Sequence, residues 1–253
     1  MNPPRVSKKS LPSPPLPQLS DNDVVALENC ESTRVFGMIS GFTLVELLTV
    51  IAIIGVLAGI LIPVTFKVRL KAQRMDSIAN LRSLGVAVSL FTNDNRDKLP
   101  GPLDNTQYAY RNGKTTQLSW WLAEHMGFPI KTNERVPILG HRRFFSRYGH
   151  DLEHYTAYVT NHKVYRGGVA NESPWGWAKG DEHKRTPKPL YTVDTPTRAI
   201  AIMEIDQELL TDVGGKVGSS SPEKPIFDDG RAVLFFDWHV KVVPFSVKMG
   251  NNK

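Results

Sequence analysis

The stretch GFTLVELLTVIAIIGVLAGILIP, residues 41–63, decides how the rest of the chain is read. From Thr43 to Ile62 the only polar side chains are Thr43, Glu46 and Thr49, so the run has no polar face to turn toward water. As a helix rising about 1.5 Å per residue, some 20 residues reach about 30 Å, the hydrocarbon thickness of a bilayer. A secretory signal has a shorter apolar core, about 7–15 residues, closed by a small-x-small cleavage site, and no good site of that kind follows Ile62. A buried helix of a soluble protein is a third reading, weakened by the near absence of a polar face. The segment reads as membrane-spanning, and Glu46 therefore needs a reason, because an ionised side chain is costly in hydrocarbon and less so near its edge.

Working outward, residues 1–41 include NPPRVSKKSLPSPPLPQLSDND, rich in Pro and Ser and poor in large apolar side chains, the composition of an unfolded leader. A start at Met38 would make that leader very short. The single cysteine, Cys30, falls here and forms no internal disulfide. On the other side, Pro63 is expected to kink or interrupt the helix, since it lacks an N–H and its ring crowds the preceding turn. Beyond it Ile78, Leu81, Leu84, Val88 and Phe91 recur at steps of three and four, the mark of a helix with one face on a core. NDNRDKLPGP then ends it. The expectation is a helical spine of about 50 residues, with residues 42–63 as its transmembrane half and 64–97 as its amphipathic half.

Residues 98–253 read as an α+β head with long loops. YTAYVTN, RAIAIMEID and RAVLFFDWHVKVVPF are enriched in β-branched and aromatic residues and partly alternate, which predicts strands of a small antiparallel sheet. TQLSWWLAEHMG predicts a helix closed by Gly127, with its Trp pair in the core. RGGVANESPWGWAKGDEHKRTPKP and TDVGGKVGSSSPEKP read as exposed loops. The net charge of +6 and pI near 9.4 arise from basic residues scattered along the chain rather than gathered in a block, so no nucleic-acid partner is expected.

Glycine, then phenylalanine, then glutamate as the fifth residue after the glycine, then an unbroken apolar helix and a proline: residues 41–63 resemble the N-terminal processing motif of type IV prepilins and type II secretion pseudopilins. The resemblance implies a pilin-like fold, with the spine packed on the antiparallel head. It implies that a prepilin peptidase cuts between Gly41 and Phe42 and methylates the new amino group of Phe42. The other implied partners are pilin or pseudopilin subunits, an inner-membrane assembly platform and membrane lipid, and the implied role is a non-enzymatic subunit of a pilus or secretion pseudopilus. In that setting Glu46 has a physical use: the cationic amine of Phe42 lies in the same layer, where screening is weak, so one subunit's carboxylate can neutralise a neighbour's terminus. A softer likeness reaches the rest of the chain, in order, to the pseudopilin-like group with a C-terminal H-X9-DG signature, abundant in planctomycete and verrucomicrobial bacteria. This chain departs from it, with Trp238 after Asp237 in place of glycine and Phe227 in place of the histidine.

Other constellations are thinner. HDLEH, residues 150–154, matches the H-x-x-E-H zinc pattern but lies between a glycine and a strand-like run, where a helix is not expected. Asp206, Asp228, Asp229, Asp237 and His239 gather toward the C-terminus, and Asp228, Asp229 and Asp237 are the residues to test for calcium, although the regular offsets of a twelve-residue calcium loop are missing. No other cofactor is expected. Some secretion pseudopilins are similar in using a C-terminal loop for calcium. Three rival readings stay open: a membrane-anchored binding protein that is never assembled, an anchored hydrolase, which would need a nucleophile or metal constellation that the sequence does not display, and a minor pilin acting in adhesion or DNA uptake. Orientation is contested too. The motif places the head in the periplasm of a single-pass inner-membrane protein. Lys67, Arg69, Lys71, Arg74 and Arg82 follow the apolar run while only Arg34 lies close before it, which by the positive-inside rule holds the head in the cytoplasm.

Overall fold

The computed structural model describes residues 42–111, 113–127, 133–149, 155–166, 169–179, 182–212 and 221–247. The chain divides into two compact units, Met1–Leu57 and Ala58–Lys253. The first unit, within the described residues, is the beginning of helix α1, Leu44–Asp94. Here every described side chain is exposed: Leu47, Leu48, Ile51, Ile53 and Ile54 all face outward, and none of the most apolar window of the helix is buried. This is one helix long and apolar enough to cross a membrane. Pro63 does not interrupt it, since the helix is continuous to Asp94. The end comes three residues short of the expected boundary, where Arg96 and Asp97 adopt positive φ.

The second unit is α+β. Its five-stranded sheet has the order β1-β2-β5-β6-β7, every pair antiparallel, with β1 at Thr106–Tyr108, β2 at Thr156–Thr160, β5 at Ile200–Glu204, β6 at Arg231–Phe235 and β7 at Val240–Val243. The expected strands are present, and RAVLFFDWHVKVVPF resolves into the β6–β7 hairpin. Leu81, Leu84, Ala87, Val88 and Phe91 of α1 share a core with Ala157, Ala201, Ala232, Leu234 and Phe236. The small sheet residues let the helix sit close, and Gly85 is part of that fit: a Cβ there would lie 3.0 Å from Leu234 Cδ1 and 3.3 Å from Trp238 Cβ. The opposite side chains of the strands, Val159, Met203, Val233 and Phe235, form a second cluster with Leu209 of the short helix α5, Gln207–Asp212. Both faces are covered, so β2, β5 and β6 are buried at every position.

Three expectations are corrected. The helix over 116–127 shrinks to α2, Leu118–Trp121, and its two tryptophans do not both enter the core: Trp120 is exposed and Trp121 half-buried. With Leu118, Ser119 and Leu122 on the buried face of so short a turn, Trp120 is left on the outer side and Trp121 at its margin. The loop over 166–189 is not wholly exposed. It contributes β4, Val169–Glu172, paired with β3, Val164–Arg166, and the helix α4, Glu182–Arg185. It also delivers Trp175, which is fully buried against Phe236 at 5.3 Å between ring centroids. Helix α3, Arg142–Tyr148, was not expected, and His141 caps its start by accepting the Phe144 N–H on Nδ1 at 3.2 Å.

Candidate functional site

Gly41 and the leader lie outside the described residues, as do His150, Glu153 and His154 of the zinc-like pattern. Phe42 is described and exposed. Next to it the chain forms a reciprocal cap. The Thr43 N–H and hydroxyl both donate to Glu46 Oε2, at 2.9 and 2.8 Å, while the Glu46 N–H donates to Thr43 Oγ1 at 3.2 Å. Thr43 and Glu46 are thus the N-cap and N3 of a capping box, which satisfies orphan donors of the first turn. The acid also faces the positive end of the helix dipole. Glu46 has a local reason to stand where it does, and Thr43 is a partner that the reading of the motif passed over. The signal was available: T-x-x-E before an apolar run is the sequence form of this cap.

The second concentration of charge is interior. Arg74, only 4% exposed, ties α1 to the sheet. Its Nη1 donates to Glu204 Oε2 at 2.7 Å, its Nε and Nη2 reach Asp229 Oδ1 at 3.1 and 2.5 Å, and Nη2 also donates to the Gly230 carbonyl. Glu204 further accepts from the Ser77 hydroxyl and from the Ala232 N–H at 2.7 Å. Burial opposes the charge on Arg74, yet Glu204 and Asp229 outweigh it and raise its pKa. Burial pushes the Glu204 carboxyl upward against the pull of Arg74, the Ala232 N–H and Ser77. Gly230 is at φ +131, and a Cβ there would stand 2.3 Å from the Val243 carbonyl oxygen, so only glycine lets β6 start where Arg74 can reach it.

Phe227, which occupies the place of the signature histidine, forms one wall of this cluster. The Arg74 guanidinium lies 4.2 Å from its ring centre, Arg143 lies 5.4 Å away, and the His141 ring stacks at 5.0 Å with a tilt. His141 is buried, and because Nδ1 accepts from the backbone its proton belongs on Nε2, which is 3.7 Å from Glu204 Oε1 and has no hydrogen-bond partner. Burial, with Arg74 and Arg143 nearby, lowers its pKa to about 3.

Trp238, in place of the signature glycine, adopts φ +67 in the β6–β7 turn. The turn closes through Trp238 N–H to the Phe235 carbonyl and Phe235 N–H to the His239 carbonyl, both at 3.0 Å. A left-handed residue at this corner explains why glycine suits it, and the tryptophan is held there by packing on the core beside Gly85.

The acidic residues proposed for calcium are not brought together. Among the described residues no three His, Cys, Asp or Glu side chains converge on a point where a metal would sit. Asp229 serves Arg74; Asp237 Oδ1 meets His239 Nδ1 at 2.5 Å; Asp228 is exposed. Asp229 and Asp237 flank opposite ends of β6, and a five-residue strand at about 3.3 Å per residue holds them far beyond a shared coordination sphere. Asp206 is committed to a buried bidentate pair with Arg231, at 2.6 and 2.8 Å, and caps α5 through the Leu209 N–H at 2.9 Å.

Among the described residues there is one serine–histidine contact. Ser173 Oγ is 2.7 Å from His162 Nδ1, and His162 Nε2 is 3.0 Å from Thr160 Oγ1. All three are buried, Trp177 covers the imidazole at 4.6 Å, and the adjoining cavity of about 20 Å³ has room for a water and nothing larger. Burial lowers the His162 pKa to about 4, away from that of a base working near neutrality. The contact is a packed structural pair.

No protein family's model matches the chain, and neither a curated protein nor a solved structure is detectably similar to it.

Proposed function

We propose that the chain is a pilin-like subunit, made as a membrane precursor, cut between Gly41 and Phe42, methylated on Phe42, and assembled through α1 into a pilus or type II secretion pseudopilus. The single observation that carries this is the order of residues 41–63: glycine, phenylalanine, a glutamate in the first turn of the helix, and an apolar run that has no polar face. Two further features support it. The apolar half of α1 is exposed along its length, which calls for lipid or neighbouring helices as its cover. The remaining half carries its own sheet, so a head can fold while the apolar half is traded from lipid to subunits.

In this reading the head is periplasmic. Glu46 then has two duties. As a monomer it caps its own helix with Oε2, and in the assembly its other oxygen accepts the Phe42 amine of a neighbour. The capping box favours one alternative, a simple membrane anchor, in which Glu46 does nothing more than start the helix.

The deciding experiment is the mature N-terminus, read by mass spectrometry from cells with an active prepilin peptidase. N-methyl-Phe42 is expected. An intact leader in such cells refutes the pilin-like reading and leaves the anchor. Glu46→Ala then separates the two duties: membrane insertion stays intact, cutting persists, and crosslinking between neighbouring helices is lost.

A further inference from the structure

The helix does not become water-compatible at Pro63. Residues 64–71, VTFKVRLK, interleave Val64, Phe66, Val68 and Leu70 with Lys67, Arg69 and Lys71, and all eight positions are exposed. Phe66 is 63% exposed and Val68 59%, so no part of the described head covers them. Two full turns with this composition suit neither neighbour. Hydrocarbon rejects the cations, and water leaves four large apolar side chains uncovered. The charge is one-signed over a long reach: between Glu46 and Asp76 the sequence has no acidic residue, while Lys67, Arg69, Lys71 and Arg74 are all basic.

Arg74 is consumed by Glu204 and Asp229. Lys71 borders a cleft of about 460 Å³ with Leu70, Met75, Phe227, Asp228 and Asp229, where acidic neighbours temper its charge. Lys67 and Arg69 do not line that cleft, and no acidic residue lies on their own turns of the helix. They lie about 7–11 Å past Ile62 at 1.5 Å per residue. A headgroup layer is about 5–7 Å deep on each side of the hydrocarbon, and long aliphatic stems let such cations reach back to the phosphates.

We infer that residues 64–71 form an interfacial collar that seats in the headgroup layer of an anionic bilayer, with Lys67 and Arg69 holding lipid phosphates and Val64 and Phe66 dipping toward the acyl boundary. This rests on the reading that the apolar half of α1 spans a membrane, and it assigns a lipid class that the processing motif does not. Each basic side chain near an anionic surface contributes about 1 kcal/mol, so the two together favour acidic over zwitterionic lipid by about thirtyfold. The apolar residues add affinity without selectivity.

The test uses the full chain reconstituted in vesicles of phosphatidylcholine with a minor share of phosphatidylglycerol. Spin-labelled lipids report the relative association of each headgroup with the protein. The wild type is expected to prefer phosphatidylglycerol, and Lys67→Gln/Arg69→Gln to lose about thirtyfold of that preference, while Lys67→Arg/Arg69→Lys keeps it. Both pairs are exposed, and an unchanged melt of the head checks that they fold. A loss smaller than about threefold overturns the inference.

Inorganic phosphate, added at the ionic strength of a chloride control, is expected to leave the preference unchanged. If it abolishes the preference, the collar binds free phosphate and the lipid assignment falls. A nitroxide at Phe66→Cys in a Cys30→Ala background is expected to be reached by oxygen and shielded from a water-soluble nickel chelate at every protein-to-lipid ratio. Shielding that grows with protein density and ignores phosphatidylglycerol would mean that a second copy covers the segment, which also overturns it. A chain extracted by alkaline carbonate fails at the span and takes both readings down. A chain that stays embedded without a headgroup preference refutes the collar alone.

Discussion

Residues 44–57 and residues 74–92 of the same helix are stabilised by opposite means. The first stretch has no polar face and is exposed at every position, so its stability depends on the medium that surrounds it. The second buries Arg74, Ser77, Leu81, Leu84, Gly85, Ala87, Val88, Phe91 and Thr92, and its stability is a property of the head. In the first stretch the one acid, Glu46, is exposed and bonded to a residue three positions away. In the second the acid that matters, Glu204, comes from a strand 130 positions on and is sealed in with Arg74. Local capping starts the one, and tertiary contact fixes the other.

The largest way to break that contrast is Arg74→Ala. It leaves Glu204 buried with its main partner gone, which costs about 3–5 kcal/mol, and the cooperative melt of the detergent-solubilised chain should fall steeply or vanish. Replacing both partners with apolar residues of similar volume, Arg74→Met/Glu204→Leu, should recover most of the loss. If the single change is silent, Arg74 does not anchor the helix to the sheet.

Acid acts next. His141 and His162 have folded pKa values lowered to about 3 and about 4, below the 6.5 of the unfolded chain. Below pH 6.5 the unfolded state binds protons that the folded state refuses, so stability falls as pH drops from about 6.5 toward 4. Each histidine contributes up to about 1.4 kcal/mol per pH unit over that window. The raised Glu204 runs the other way, since its folded form takes up a proton more readily, and it blunts the loss at the acid end. Urea melts at pH 7 and pH 5 should show the drop, and His162→Gln should flatten it. A stability independent of pH across this range would mean that neither imidazole is buried in its neutral form.

A smaller effect sharpens the reading of the hairpin. Trp238→Ala loses the ring and keeps the left-handed backbone, whereas Trp238→Gly loses the ring and relieves the strain. The glycine variant should therefore be the more stable of the two by about 1 kcal/mol, measured by thermal melts side by side. The reverse order would remove the account of why glycine suits this corner.

The smallest effect falls on the exposed end. Thr43→Val, which keeps the shape and deletes the hydroxyl, should speed amide exchange over the first turn of α1 severalfold and leave the melt of the head unchanged. A shift in the head's melt would show that the two stretches are energetically coupled.

Four of the five strands of the sheet, β2, β5, β6 and β7, were legible because they are written in β-branched and aromatic runs whose neighbours in sequence are turn residues, whereas the three-residue edge strand β1 is too short to show such a run. The amphipathic half of α1 was legible for the same kind of reason, since Leu81, Leu84, Val88 and Phe91 repeat at helical spacing and all four are buried. Trp175 was not, because the Pro and Gly around it signal a loop and say nothing of what the loop covers. Arg74 was counted among five basic residues following a membrane segment, and its burial depends on Glu204 and Asp229, which lie 130 and 155 positions away. Asp229 and Asp237 stand apart for a related reason: closeness in sequence across a β-strand means separation in space.

Composition alone determined that residues 43–62 form an apolar helix of membrane length, because an uninterrupted run without a polar face has few other ways to exist. Spacing alone determined the face that the second half buries, and the T-x-x-E of Thr43 and Glu46 carried the signal for the start of the helix. Only the tertiary structure decided which charges are held inside the head and which remain outside. Arg74 and Lys71 are one turn apart and chemically similar; one meets Glu204 and the Gly230 carbonyl in the interior and the other stays exposed at the rim of a cleft. A cation's fate is set by the dielectric and the partners it finds after folding, and neither is written in the residues beside it.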